Sequence, residues 1–326
     1  MVRPFLKWAG GKRQLLPALR PCYPAAFKRY FEPFLGSGAV FFDIVESGRL
    51  EGRPAVLADL NVDLIACYRA LRDETGAVIE ALQTLDGEHR KRGEPCYYEV
   101  RGRFNAARAG EASRAGQAGG AGGAARAAMF IYLNRTGFNG LFRLNRAGAF
   151  NVPAGRYANP RICDADQLRA CAGALRRPGV TLTLQPFDTT LAAARAGDFV
   201  YCDPPYAPLS ATSLFAHYTA GGFTLDDHAR LQAAIIGAAE RGAVVVVSNS
   251  SAPEIERAYG SRAARKAGLR LRRVPARRAI NSRASSRGPV DELIITNAPP
   301  GALDVPLRMA LAQPRAAGRR PRSGVA

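Results

Sequence analysis

Residues 30–59 carry the feature that narrows the fold most. Tyr30-Phe31-Glu32-Pro33-Phe34 reads as a strand running into a glycine-rich turn, residues 39–47 have helical apolar spacing, and residues 54–58 read as a second buried strand ending on Asp59. Strand, glycine turn, helix, strand, acid is the order of a nucleotide-binding βαβ unit, so the chain is expected to be α/β. Upstream, the spacing predicts an extended piece, a Gly10-Gly11 turn and a short helix from about Gln14. Residues 62–104 have a helical pattern with charges on one side. Residues 106–127, AARAGEASRAGQAGGAGGAARA, are low in complexity and read as a flexible excursion. An apolar stretch at 129–133 then opens a segment dense in Asn, Arg, Gly and aromatics that runs to Tyr157. From about Ala165 helices and strands alternate again, with strand candidates at 181–184, 199–202, 243–248 and 293–296. The expectation is an α/β sheet interrupted by a helical insertion. From about Asn297 the chain is rich in Pro, Ala and Arg and reads as a disordered basic tail.

At roughly 150 residues per domain, 326 residues suggest two domains or one with a large insertion. Hydrophobic residues at 47% and charged residues at 22% exclude a wholly disordered chain and a membrane bundle. The 46 Lys and Arg against 27 Asp and Glu leave a net charge of +19. Part of that excess is solvated arginine in irregular segments; the remainder calls for a polyanionic partner, and nucleic acid is the commonest. The six cysteines form no C-x-x-C pair and there are three histidines, which argues against a zinc site. No basic region leads into an apolar one at the start, and the apolar run at 243–247 is too short to span a bilayer. A cytoplasmic, reducing environment is expected.

Three local features carry chemistry. In the first, Gly36 and Gly38 within Glu32-Pro33-Phe34-Leu35-Gly36-Ser37-Gly38 let backbone approach a ligand. Asp59, some twenty residues on, can accept hydrogen bonds from a ribose diol. Phe41 breaks the full G-x-G-x-x-G, which disfavours a dinucleotide and suits a non-phosphorylated nucleoside such as S-adenosylmethionine; plain turn glycines are the competing reading. The second is Asp203-Pro204-Pro205-Tyr206, directly after the strand Phe199-Val200-Tyr201-Cys202. The two prolines stiffen the turn and remove two amide donors, leaving a carboxylate, a carbonyl at Pro204 and an aromatic ring. That set suits a planar amino group, whose two N–H bonds go to the acceptors while the ring stacks on the base. A stiff turn with a core tyrosine is the alternative. The third spans Tyr132 to Arg143 and Phe150 to Tyr157. There Arg135, Phe138, Asn139, Arg143 and Arg156 interleave with glycines, as in a hairpin that enters a DNA groove, or in a glycine-rich surface loop.

The blocks PFLKWAGGK, FEPFLGSGAVF, ADLN, YLNRTGFNGLFR, FNVPAGRY, YCDPPYAPLSAT and VDELI occur in order between residues 4 and 294. In this the chain resembles the Dam-type DNA adenine-N6 methyltransferases, in register from about residue 3 to 297. The resemblance implies a Rossmann-like methyltransferase sheet with a mainly helical target-recognition domain inserted after the second strand. The boundaries would be a catalytic domain at 1–61 and 164–297, an insertion at 62–163 and a tail at 298–326. It implies S-adenosylmethionine as cofactor, double-stranded DNA as partner, a monomer, no metal, no membrane, and methylation of adenine N6 within GATC. By position, Trp8, Lys12, Phe34, Asp59 and Asp203 would contact the cofactor, with Gly36 and Gly38 in the turn beneath it. Asp203, Pro204, Pro205 and Tyr206 would form the catalytic corner. Lys7, Leu141, Arg143 and Pro153 match base-reading positions, and Phe138 stands where the family commonly has a tyrosine that inserts into the duplex. Phe142 replaces a smaller residue beside Arg143.

Direct transfer to an adenine rotated out of the helix is the expected mechanism. Cytosine N4 poses the same chemical problem; the acidic residue that opens the tetrapeptide argues for adenine. A catalytically silent DNA-binding regulator is opposed by the presence of Trp8, Lys12, Asp59 and Asp203 together. Arg272, Arg273, Arg277, Arg278, Arg283 and Arg287 are candidates for phosphate contacts.

Overall fold

A computed structural model describes residues 2–8, 12–112, 123–207, 223–277, 289–299 and 303. Seven strands form one sheet: β1 (Tyr30–Glu32), β2 (Ala55–Asp59), β3 (Val180–Leu184), β4 (Phe199–Cys202), β5 (Val244–Ser250), β6 (Arg270–Arg277) and β7 (Pro289–Thr296). Their order is β3-β2-β1-β4-β5-β7-β6. The pairs β3–β2, β2–β1, β1–β4 and β4–β5 are parallel, and β7 runs antiparallel to both β5 and β6. β1, β4 and nearly all of β5 are buried on both faces, which is why they read as continuous apolar runs rather than alternating ones. The order reverses between β1 and β4. In open sheets of this kind the crevice at the carboxyl ends of those two strands is where ligands bind.

The sequence reading located six of the strands and missed β6. Its segment, RLRRVPAR, carries arginines and Pro275, which disguise a strand, but β6 lies at the sheet edge, where charge and a missing amide donor are tolerated. Arg273, read as a phosphate contact, is paired with Glu256 at 2.7 Å. The side chain of Arg277, and residues 278, 283 and 287, lie outside the described residues.

Helix α1 (Leu16–Leu19) follows a 3-10 turn at Lys12–Gln14, and α2 (Ala39–Glu46) follows the glycine turn. Between β2 and β3 stand α3 (Val62–Asp73), α4 (Thr75–Arg92), α5 (Glu94–Ala112), α6 (Gly123–Thr136) and α7 (Ala165–Leu175). Helix α6 is buried almost all round because α3, α4 and α5 pack about it. The excursion read as flexible is helical at both ends: residues 106–112 continue α5 and 123–127 open α6. Alanine, the strongest helix former, outweighs the glycines there; residues 113–122 lie outside the described residues, as does the Gly10-Gly11 turn. Ala298, assigned to the tail, is buried and its amide donates to Thr296 Oγ1 at 3.0 Å. Apart from Ala298, Pro299 and Leu303, the tail lies outside the described residues. Helix α8 (Phe187–Ala192) and the helices Leu225–Glu240, Pro253–Tyr259 and Arg262–Lys266 complete the layers.

Candidate active site

The corner after β4 is built by residues distant in sequence. Lys12 Nζ lies 2.9 Å from Asp203 Oδ1 and 4.2 Å from the centroid of the Tyr206 ring. Ser248 Oγ donates to the same Asp203 oxygen at 2.9 Å, and the Tyr206 hydroxyl donates to Glu292 Oε2 at 2.7 Å. Burial pushes the Asp203 carboxyl up, while the Lys12 ammonium and the Ser248 hydroxyl pull it down. Burial, with Asp203 and Glu292 beside it, also raises Tyr206, so its hydroxyl stays protonated. Pro204 is buried and Pro205 exposed. Neither carries an amide hydrogen, so the turn offers acceptors.

On the other side of the crevice the turn after β1 is left-handed at Gly36 (φ +47°) and Gly38 (φ +64°). Gly36 carries three constraints. Its amide donates to Asp59 Oδ2 at 3.1 Å, its carbonyl accepts from the Tyr68 hydroxyl at 3.1 Å, and a Cβ there would stand 2.9 Å from Trp8 Cδ1. Asp59 Oδ1 accepts from the Asn61 amide at 2.9 Å, and Asn61 in turn caps α3 through Leu64 N. The Leu60 amide also bonds this carboxylate, so three donors leave it some acceptor capacity for a ligand hydroxyl, and burial raises it above its ordinary value. Phe34 is half-buried and stacks on Phe187 at 5.6 Å. A cradle whose floor excludes a Cβ, an acid with spare acceptor capacity and an aromatic wall fit an adenosyl group without phosphates. Among the described residues no cluster of three or more His, Cys, Asp or Glu is placed to hold a metal, and no helix is long and apolar enough to cross a membrane.

The third feature is an irregular hairpin on the insertion, tied by bridges Gly137↔Ala154 and Leu144↔Phe150 and tipped by Asn145, whose side chain accepts from the Ala147 and Ala149 amides. Arg143 is exposed, with Nε on Asn151 Oδ1 at 2.8 Å. Phe138 is 46% exposed; its amide donates to the Pro153 carbonyl at 2.9 Å. Asn139 takes a left-handed conformation (φ 54°), which Asn tolerates better than most residues. Pro153 and Arg156 are exposed and Leu141 is half-buried against the core. Arg135 is half-buried, its Nε without a hydrogen-bond partner among the described residues. Lys7 is fastened to this unit. Its amide donates to Asn134 Oδ1 at 2.7 Å, and its ammonium reaches the Arg135 carbonyl at 3.2 Å and lies 4.1 Å from the Tyr157 ring centroid. Phe142 stacks on Trp8 (6.1 Å, 19°), which joins the hairpin to the cofactor cradle.

The structure thus brings Trp8, Lys12, Phe34, Gly36, Gly38, Asp59 and the tetrapeptide to the switch point, and gathers Lys7, Arg135, Phe138, Asn139, Leu141, Arg143, Pro153 and Arg156 on or against the hairpin. Sequence reasoning assigned no role to Ser248 or Glu292. The available signal was three polar residues, Ser248-Asn249-Ser250, ending a run of four valines.

A seven-stranded sheet with its last strand reversed between β5 and β6, and with a glycine turn and an acid-proline corner at the switch point, defines a Rossmann-like α/β fold. The profile of the D12 class N6 adenine-specific DNA methyltransferases matches residues 8–273, and the chain belongs to that family. It is 37% identical over 293 residues to a DNA adenine methylase of Vibrio cholerae (90% of this chain, 95% of that one). It is 36% identical over 296 residues to the type II methyltransferase M1.LlaDCHI of Lactococcus lactis (91% and 95%). With the DNA adenine methylase of Escherichia coli K12 the identity is 35% over 292 residues (90% and 94%).

Proposed function

We propose that this protein methylates N6 of adenine in double-stranded DNA, within GATC, using S-adenosylmethionine and a base rotated out of the duplex. Residues 1–61 with 164–297 act as the catalytic unit and 62–163 as the target-recognition unit. A monomer in the cytoplasm suffices, since cradle, acidic corner and hairpin all come from one chain.

One observation carries this reading. A cationic, tetrahedral nitrogen, that of Lys12, sits 2.9 Å from Asp203 and 4.2 Å from the centroid of the Tyr206 ring. Such a nitrogen is what N6 becomes as a fourth bond forms on it. In free adenine the N6 lone pair is delocalised into the ring. By accepting the two N–H bonds, the Asp203 carboxylate and the Pro204 carbonyl turn the nitrogen toward a tetrahedral shape and localise that pair. Positive charge then grows on nitrogen, the carboxylate stabilises it, and the N–H proton that the nitrogen sheds to become neutral again has that carboxylate as its neighbouring acceptor. The Tyr206 ring, its hydroxyl anchored on Glu292, offers a stacking face for the base. Trp8, the Gly36 turn and Asp59 would hold S-adenosylmethionine, which supplies a methyl group on a sulfonium when bound. Phe138, with its ring exposed, would fill the stack that the base leaves.

Asp203→Ala is expected to abolish incorporation of labelled methyl into DNA while leaving duplex binding largely intact; wild-type incorporation overturns the reading. Sequencing of methylated adenines in DNA from cells expressing this chain alone tests the target, and marks centred on another motif overturn the GATC assignment.

A further inference from the structure

We infer that Ser248 is a positioning residue for the transfer, acting through Asp203; the inference rests on the reading of Asp203 as the acceptor of the amine hydrogen. The residue stands at the carboxyl end of β5, where Ser248, Asn249 and Ser250 are 0%, 0% and 1% exposed. Three consecutive polar side chains so deeply buried at a strand end are costly unless each has a task. Strand alternation turns Ser248 and Ser250 to one side, and both brace the segment after β4. Ser248 Oγ donates to Asp203 Oδ1 at 2.9 Å and Ser250 Oγ donates to the Ala207 carbonyl at 2.8 Å. The register explains the reach. Tyr201 is level with Val246 in the parallel β4–β5 pair, so Ser248, two residues on, comes level with Asp203.

The direction of the hydrogen bonds is fixed by counting protons. Ser248 has one hydroxyl hydrogen, and a carboxylate can only accept, so that hydrogen goes to Asp203. The Tyr201 hydroxyl, 2.9 Å from Ser248 Oγ, must then donate to it. Burial and the nearby Asp203 raise Tyr201 well above its ordinary value, which keeps that donor protonated. The result is a one-way chain from the Tyr201 hydroxyl through the Ser248 hydroxyl to Asp203 Oδ1. Lys12 meets the same oxygen. Two donors on one oxygen fix the plane of the carboxylate and oppose the upward push of burial on it. With Ser248 removed, the carboxylate keeps Lys12 but loses the donor that links it to the sheet.

The test compares Ser248→Ala, Tyr201→Phe and Asp203→Asn with the wild type. It reads kcat and KM for DNA and for S-adenosylmethionine, and the pH profile of kcat. Loss of a hydrogen bond to a charged group predicts a fall in kcat of about tenfold to a hundredfold for Ser248→Ala, with both KM values held within about twofold. The acidic limb of the profile moves to higher pH, because a donor that stabilised the charged carboxylate has gone. Tyr201→Phe keeps the ring and loses only the upstream donor, so it shows the same limb shift with a smaller loss of kcat. If Ser248→Ala fails to fold, as judged by its melt, Tyr201→Phe carries the test. An unchanged kcat and an unmoved limb in the folded variants, with Asp203→Asn inactive, overturn the role of Ser248. An active Asp203→Asn overturns the reading of Asp203 itself.

Discussion

Gly36→Ala tests the cofactor cradle, because two separable costs meet there. The first is backbone: φ is +47°, and a residue with a Cβ in the left-handed region costs about 1–2 kcal/mol. The second is space: the new Cβ would stand 2.9 Å from Trp8 Cδ1, closer than real Cβ atoms come, and a tight 3.2 Å from Trp8 Nε1, so the indole must move. Overpacking of that kind costs about 1–3 kcal/mol. Gly48 supplies the control. Its φ is +72° and nothing lies within 4 Å of its would-be Cβ, so Gly48→Ala carries the backbone cost alone. Denaturant unfolding is therefore expected to show Gly36→Ala less stable than Gly48→Ala by about 1–3 kcal/mol. If Trp8 is a wall of the cofactor site, binding must force the indole back against the methyl. Calorimetric titration with S-adenosylmethionine should then show an affinity about tenfold to a hundredfold weaker for Gly36→Ala, and no change for Gly48→Ala. Equal affinities in the two variants would refute the placing of Trp8 and Gly36 at the cofactor.

Further expectations concern other parts of the molecule. Burial raises Glu32 to about 8, so the folded protein keeps a proton that the unfolded chain has lost. Its contribution to stability is full below the ordinary carboxylate value, declines as pH rises and is gone past about pH 8; melts of wild type and Glu32→Gln across that range should differ in slope, and identical slopes refute the assignment. Arg143→Ala should lose about 1–3 kcal/mol of discrimination at a single base pair if its exposed guanidinium reads guanine, measured as relative rates on single-base variants of the target. Equal loss on every sequence marks a phosphate contact instead. With a net charge of +19, duplex affinity should fall steeply between low and moderate salt, and a flat titration contradicts a phosphate-dominated interface. Phe142→Leu removes an aromatic stack worth about 0.5–1.5 kcal/mol and should weaken stability and cofactor binding while leaving base discrimination unchanged.

What could be read from the sequence is what is contiguous in it. The turn after β1 and the tetrapeptide after β4 each carry their chemistry within a few residues, so their residue types announce the task before any fold is known. That the two face each other depends on β1 lying beside β4, a fact of strand order. Lys12, Ser248 and Glu292 reach the corner from three separate places in the chain, through β5 and β7 and the segment before α1, and no local pattern encodes such a meeting. β6 was hidden for the opposite reason: its arginines and proline suit an edge, and an edge is defined only once the other six strands are arranged. Alanine-rich residues at 106–112 and 123–127 could serve a linker or a helix; alanine's propensity favours helix at both, and burial of Ala124 and Ala127 adds to it in α6. Phe142 shows how the same limit acts at the site. Beside Arg143 in sequence, its bulk looks like an intrusion on base reading. In the hairpin, however, Phe142 is half-buried against Trp8, Phe130 and Phe150, while Arg143 is exposed. The larger ring therefore packs on Trp8, and the exposed arginine is held instead by Asn151 Oδ1 on the hairpin's other limb.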